Sequence, residues 1–337
     1  MPDRREYGKL EPEQPDNDLA FLPSRTSSGQ QQNNPVLRPL RLNKRYIVLG
    51  GVAFLLICLL FAGAAHPDVR RRILPASGQD GLESILGRKE QLEEGFTLVT
   101  PTYRRLERLP TFLDNYATGK IPSLKRVVLL WADLENAAPE SFTSTLSKYA
   151  VPVIIGELTH NSLNERFRAT KDMPTKGILS VDDDVLITPE DTEMGYQAWR
   201  DWGEGRKRMT GYIPRELKAD GTYVVERLPS YSMVLTKAAF FHHDWMYAYW
   251  SDDLLVTEAR NYVGEHNNCE DILMSFLHAY FAQRPPLFVD APFKDLGSGG
   301  ISFQPGHMEQ RTACTRKFLE IFGKDVMLGT NVSVKAY

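Results

Sequence analysis

Gly177-Ile178-Leu179-Ser180-Val181-Asp182-Asp183-Asp184 is the stretch on which the reading of this chain turns. An apolar run leads straight into three adjacent carboxylates. Neighbouring Asp side chains repel one another and resist burial unless a cation compensates them. A strand that ends in them delivers the carboxylates to the carboxyl edge of an open α/β sheet, where such sheets bind ligands. Thr188-Pro189-Glu190-Asp191 follows, a helix start with Thr as N-cap, Pro at the first helical position and acids in the first turn. The carboxylates therefore sit on a short, anchored connector. Their hard oxygens suit Mg²⁺ or Mn²⁺, which take one or two carboxylates together with the phosphates of a substrate. A solvated acidic turn is the plainer alternative.

Upstream of the triplet the chain alternates. Phe96-Thr97-Leu98-Val99-Thr100 is a β-branched run stopped by Pro101, and Arg105 to Tyr116 spaces Leu106, Leu109, Phe112 and Leu113 at helical intervals. Val127-Val128-Leu129-Leu130-Trp131 reads as a second strand, and Pro139 opens a helix through Tyr149. Val151-Pro152-Val153-Ile154-Ile155 reads as a third strand, which Pro152 demotes toward an edge. Asn161 to Ala169 reads as a helix, and the run before the triplet is the fourth strand. Such alternation implies a mostly parallel, Rossmann-like sheet flanked by helices on both faces. There is no Gly-x-Gly-x-x-Gly and no phosphate loop, which disfavours dinucleotide enzymes and P-loop phosphotransferases. A diphosphate bound here needs a cation, which the triplet can hold.

Downstream the pattern is mixed. Gly211 to Arg215, Tyr223 to Glu226 and Tyr231 to Leu235 read as short strands. Phe240-Phe241-His242-His243-Asp244-Trp245, within the aromatic stretch Phe240 to Trp250, reads as a helix packed on a core, with a sugar-stacking wall as the sharper alternative. The His pair points apart on a helix and is not read as a metal site. Cys269-Glu270-Asp271-Ile272 is a helix start with two acids in its first turn. Dipole stabilisation explains acids there; a catalytic carboxylate beside a cleft is the functional alternative.

The chain has 337 residues and a net charge of −3 with mixed signs, so nothing points to nucleic acid. Residues 1–45 are rich in Gln, Asn, Pro and charge and read as a disordered cytoplasmic tail. Tyr46 to Ala65 is uncharged and almost wholly apolar, long enough at about 20 residues to cross a bilayer as a helix. Arg38, Arg41, Lys44 and Arg45 precede it and Arg70, Arg71 and Arg72 follow, a balance that leans toward a cytoplasmic N-terminus. Residues 66–92 then form a stem and 93–337 a lumenal domain. Cys269 and Cys314 lie in that domain, with Cys58 in the span. In an oxidising lumen the two can pair, closing a loop worth about 3–4 kcal/mol, or stay as buried thiols. Asn331-Val332-Ser333 is a glycosylation sequon.

Taken in order, the motifs resemble the exostosin-like glycosyltransferases. The blocks are Thr102-Tyr103-Arg104-Arg105, Asn161 to Phe167, Val181 to Asp184, Tyr231 to Leu235, and Asn268-Cys269-Glu270-Asp271-Ile272, followed by Arg311-Thr312-Ala313-Cys314. The resemblance runs from about Phe96 to about Asp325. It implies a GT-A-type fold with a mixed acceptor-side half. It also implies a retaining, metal-dependent transferase that moves GlcNAc or GalNAc from a UDP-sugar to a glycan, glycolipid or glycoprotein in α linkage. By the same resemblance, Arg105, Asn161, Arg166 and Asp183 would belong to the donor site. Asp182 and Asp184 would hold Mn²⁺ or Mg²⁺, with Asp184 the more direct ligand. Asn268 and Asp271 would face the reacting sugar, Arg311 would bind phosphates, and Cys269 would pair with Cys314. A single-pass type II protein of the Golgi or endoplasmic reticulum follows from the combination. One departure stands out: the family carries Asn-Asn after the Trp of its second strand, and this chain has Ala132-Asp133. A catalytically silent homologue acting as a membrane-anchored glycan or nucleotide-sugar scaffold is the alternative, and the joint presence of Asp182, Asp184, Asp271 and Arg311 argues against it.

Overall fold

The computed structural model describes residues 91–297 and 305–335, with Glu83 before them. The tail (1–45) and the apolar span (46–65) lie outside the described residues, as does the stem apart from Glu83, Gln91 and Leu92. Among the described residues no helix is long and apolar enough to cross a membrane.

The strands are β1 (Glu93–Thr102), β2 (Leu124–Trp131), β3 (Val153–Glu157), β4 (Thr175–Val181), β5 (Val185–Ile187), β6 (Thr210–Gly211), β7 (Pro214–Leu217), β8 (Tyr223–Val224), β9 (Met233–Val234), β10 (Ala238–His242), β11 (Leu287–Asp290), β12 (Phe293–Asp295) and β13 (Ser333–Lys335). The main sheet has the order β13-β11-β6-β10-β4-β1-β2-β3. Strands β1 to β4 pair in parallel, as expected. β10 runs antiparallel to both β4 and β6, and β11 runs parallel to β6 and β13. The sheet is therefore mostly parallel, with one reversed strand beside β4.

Why the strands are apolar throughout follows from the side-chain period of two. On β2, Val128 and Leu130 join one buried cluster while Val127 and Leu129 join another. Ile178 and Leu179 divide in the same way on β4. One face is covered by α1 (Leu109–Tyr116), the short α2 (Glu140–Thr143) and α3 (Pro189–Trp202). The other is covered by α4 (Asp244–Tyr249), α5 (Leu254–His266), α6 (Glu270–Leu277) and α7 (His307–Phe322). Gly177 opens the central run because a Cβ there would stand 2.9 Å from Phe96 Cβ and 3.0 Å from the Gly95 carbonyl.

Three expectations are corrected. Phe240 and Phe241 belong to β10, and only the residues from Asp244 are helical. Phe240 packs edge-on against Phe96 on one face, Phe241 against Phe167 on the other. A strand buried on both faces looks like a buried helix when only its apolarity is read. Asn161 to Ala169 contains a 3₁₀ turn, Leu163–Phe167, and not an α-helix; Ser162 caps it by accepting from the Asn164 amide. The helix from Pro139 breaks into α2 and a 3₁₀ turn at Leu146–Lys148. There Thr143 and Thr145 donate their hydroxyls to backbone carbonyls, a local competition that shortens helices.

Candidate active site

The triplet emerges where β4 ends, and its backbone is fastened on both sides. The Asp182 amide donates to the Lys237 carbonyl, and the Val185 amide closes the turn on the Asp182 carbonyl, each at 3.0 Å. Thr188 accepts from the Asp191 amide and starts α3 as expected. β1 lies beside β4, so its end reaches the same place. Thr102 Oγ1 donates to Asp183 Oδ2 at 3.0 Å. Arg105 Nη1 donates to Asp183 Oδ1 at 3.0 Å and to Asp184 Oδ2 at 3.3 Å. Arg108 Nη1 stands 3.6 Å from Asp184 Oδ2, and Lys237 Nζ stands 3.7 Å from Asp184 Oδ1.

A second set of charges joins through one residue. Arg166 Nη1 lies 2.7 Å from Asp182 Oδ1, its Nε lies 3.4 Å from Glu270 Oε1, and Nη1 also donates to the Thr236 carbonyl at 3.0 Å. Next to Glu270, Asp271 accepts from Arg311 Nη2 at 2.8 Å and from the Ile272 amide at 2.8 Å. Arg311 also donates to the Tyr223 hydroxyl at 3.1 Å. Asn268 donates to Gln310 Oε1 at 3.1 Å and lies 3.3 Å from His307 Nδ1, both on α7. The disulfide Cys269–Cys314, with Cα atoms 6.4 Å apart, ties the start of α6 to α7. Asn267 and Cys269 on either side of Asn268 have φ of 45° and 76°. Non-glycine residues cost free energy in that region, roughly 1–3 kcal/mol each, and tend to be kept where function needs them.

The electrostatics differ along this chain of contacts. Burial pushes Asp182 and Asp183 above the ordinary carboxylate value, opposed by Arg166 and Arg105 respectively. Burial pushes Glu270 up to about 7 despite Arg166. Burial acts on Asp271 in the same sense, yet Arg311 overcomes it and holds Asp271 below its ordinary value. Lys237 is held above its usual value, burial being outweighed by Asp295 and the triplet.

The structure thus brings Arg105, Arg166, Asp182, Asp183, Asp184, Asn268, Asp271 and Arg311 into one linked set. Two placements depart from expectation. Asn161 is exposed, whereas Asn164 is buried and bonds the Tyr249 hydroxyl at 2.5 Å and the Arg260 carbonyl at 3.2 Å. Arg311, expected on phosphates, is committed to Asp271 and Tyr223. At the departure from the family pattern, Asp133 accepts from Arg104 Nε at 3.0 Å and from Asn136 at 3.2 Å, pinning Arg104 at its φ of 53°. Asn331 is exposed, two residues before β13. Sequence reasoning read Glu270 only as an acid of the helix start and missed Lys237, Tyr223 and Asp295 as members of the set. Their signal is topological: the pairing of Ala238 with Val181 is what sets Lys237 beside Asp182, and no spacing rule announces it.

Whether a divalent ion fits can be judged from the donor set. Asp184 Oδ1 is buried and receives no hydrogen bond among the described residues. Among the described residues no group of three or more His, Cys, Asp or Glu converges on one point. The protein thus offers one or two hard oxygens, Asp184 with Asp182, and would leave the other positions to phosphate and water, the pattern Mg²⁺ and Mn²⁺ accept. The residues fit.

Comparison with known proteins shows the family. The family described as glycosyl transferase family 64 domain matches residues 96–337. The chain is 34% identical to glucosamine inositolphosphorylceramide transferase 1 of Oryza sativa subsp. indica, over 73% of this chain and 33% of that protein. It is 28% identical to glycosylinositol phosphorylceramide mannosyl transferase 1 of Arabidopsis thaliana, over 86% of this chain and 87% of that one. Exostosin-like 2 of Homo sapiens is 25% identical over 84% of this chain and 89% of its own. The chain spans about a third of the length of the rice relative and nearly the whole of the other two.

Proposed function

Because the chain belongs to glycosyl transferase family 64, the exostosin-like glycosyltransferases, we propose that it is a retaining, UDP-sugar-dependent enzyme that moves an N-acetylhexosamine, GlcNAc or GalNAc, in α linkage onto a glycolipid. The lipid is preferred over a free glycan or glycoprotein because two relatives are named for inositolphosphorylceramide acceptors. The observation that carries the reading is the single bridge of Arg166 between Asp182, at the tip of β4, and Glu270, beside Asp271 at the start of α6. It supports the reading because it sets the carboxylates at the tip of β4 beside those at the start of α6.

In this reading Asp184 and Asp182 hold Mn²⁺ or Mg²⁺, with Arg105 and Asp183 supporting them. When bound, the ion supplies Lewis acidity to a diphosphate leaving group. The bond from the sugar's anomeric carbon to the phosphate oxygen breaks with its electron pair on UDP. The acceptor oxygen bonds the same carbon and its proton passes to the departing phosphate. Positive charge develops on the sugar, and Asp271 stands ready to stabilise it. Both its oxygens already accept bonds, from Arg311 and from the Ile272 amide. Each oxygen keeps a further lone pair, so these contacts fit electrostatic stabilisation and covalent attack alike. Arg311 and Tyr223 orient Asp271, and Asn268 faces the sugar from the same helix start. The apolar span at 46–65 and the disulfide support a type II protein with this domain in the lumen of the Golgi or endoplasmic reticulum.

The test is UDP release by the purified full chain in detergent, with UDP-GlcNAc and UDP-GalNAc, with and without Mn²⁺. Because the Arabidopsis relative is named a mannosyl transferase, a mannosyl donor, GDP-mannose, is assayed beside them by GDP release. Metal-dependent release from a UDP-N-acetylhexosamine is expected; release from GDP-mannose alone, or none at all, overturns the assignment.

A further inference from the structure

Lys237 sits directly before β10, and its carbonyl accepts the Asp182 amide, so its main chain is fixed to the triplet. Its ammonium lies between two carboxylates, 2.8 Å from Asp295 Oδ2 and 3.7 Å from Asp184 Oδ1. Asp295 ends β12, which pairs antiparallel with β5 and sets Asp295 opposite Val185, the residue after the triplet. The turn beyond it closes on the same place. The Leu296 amide donates to the Asp184 carbonyl at 2.7 Å, and the Gly297 amide donates to Asp295 Oδ1 at 2.9 Å. A Cβ on Gly297 would stand 2.8 Å from both Asp184 Oδ2 and Asp295 Oδ1, so both carboxylates crowd one glycine. Asp184 Oδ2 faces Arg105 and Arg108. Among the described residues Asp184 Oδ1 is buried without a hydrogen bond, and Lys237 approaches it at ion-pair distance.

Taken with the proposed function, on which this inference rests, we infer that Lys237 is a built-in counter-cation of the donor site. It neutralises Asp184 while the site holds no divalent ion, and Asp295 is the carboxylate that draws it aside when one binds. Three features favour this role over a static ion pair. The ammonium is a compact charge on a flexible four-carbon stem, so it can move without displacing the backbone. Its hydrogen bond already goes to Asp295, so withdrawal from Asp184 breaks none. And the oxygen it approaches is the one left open for a ligand. An ammonium that close to Asp184 Oδ1 and a divalent ion on the same oxygen repel each other, which makes Lys237 a competitor that sets metal affinity.

The experiment is Mn²⁺ titration of the full chain in detergent with saturating UDP, read by calorimetry and by the loss of free Mn²⁺ spin signal. UDP is titrated separately at saturating Mn²⁺. Lys237→Met should tighten Mn²⁺ binding about tenfold, within the usual span of coupling between sites, and leave UDP affinity within about threefold. Lys237→Arg, which keeps the charge, should stay near the native value. Asp295→Asn should weaken Mn²⁺ binding severalfold, and that loss should vanish in the Lys237→Met background. Unchanged Mn²⁺ binding in Lys237→Met overturns the inference. So does weaker UDP binding at saturating Mn²⁺, which would make Lys237 a phosphate ligand. Either result leaves the proposed function standing; absence of Mn²⁺ uptake by the native chain with UDP overturns both. Thermal melting of each variant shows that it is folded.

Discussion

The two ends of the charged chain are built on opposite principles. At the triplet, Asp184 has Arg105 at 3.3 Å, Arg108 at 3.6 Å and Lys237 at 3.7 Å, with one oxygen left without a hydrogen bond among the described residues. At α6, Asp271 has both oxygens satisfied at 2.8 Å, a buried Arg311 committed to it, and a disulfide beside it. The first end holds its cations loosely enough to exchange one. The second has its carboxylate held at both oxygens, as a group must be if it is to meet developing charge without reorganising. Mutation should therefore separate function from folding at the triplet and confound them at α6.

The largest expected effect lies at the loose end. Asp184→Ala should lower turnover by roughly 10³-fold, the scale of several kcal/mol of lost leaving-group stabilisation. Melting temperature should be nearly unchanged or raised, because Arg105 keeps Asp183. A variant that unfolds would show instead that the triplet is structural. At the locked end Arg311→Met should cost about 3–5 kcal/mol of stability by stranding a buried carboxylate. Denaturant unfolding measures it, and a loss under about 1 kcal/mol would erase the contrast between the two ends.

How far the sequence revealed this contrast depends on which signals are local. The β4 run, the triplet and the Thr188 cap are contiguous, so each was legible and each appears as read. The acids opening α6 were legible for the same reason. Phe240 and Phe241 were misassigned because a doubly buried strand has no polar face to betray its period. The Asn161 segment was misassigned because a cap such as Ser162, which accepts from the Asn164 amide, opens a short 3₁₀ turn as readily as an α-helix. Lys237 and Asp295 were invisible, since their role depends on β10 reversing beside β4 and on β12 pairing with β5. Resemblance singled out Arg311 as a phosphate contact, and the side-chain geometry shows it bonded to Asp271 and Tyr223.

The disulfide sharpens the comparison next. Cys269 and Cys314 are 45 residues apart, so in the chain-entropy model breaking the bond costs about 4 kcal/mol. Cys269→Ser with Cys314→Ser should lower the melting temperature and also reduce turnover, since Asn268 donates to Gln310 on the helix that the bond holds. Mn²⁺ binding with UDP should change little, because the triplet is anchored by β4 and not by α7. Equal loss of metal binding and turnover would mean that the two ends are not independent.

The smallest effect is the most specific, because it reads the junction itself. Glu270 lies between the two ends, facing Arg166, and burial raises it from 4.5 to about 7. A carboxyl raised in this way binds its proton more tightly folded than unfolded. Its contribution is therefore favourable below about 4.5 and is lost as pH rises toward 7, after which it stays constant. The full shift corresponds to roughly 3 kcal/mol, and about 1–3 kcal/mol is the expected fall in unfolding free energy across that window. In Glu270→Gln the fall from this group should disappear while Asp271, held low by Arg311, keeps its own dependence at more acid pH. Denaturant unfolding of native and variant chains from pH 4.5 to 8 measures the Glu270 window. Parallel curves for native and variant chains would mean that Arg166 holds Glu270 ionised throughout. Arg166 would then join the two ends as a fixed strut, and the loose end would be no freer than the locked one.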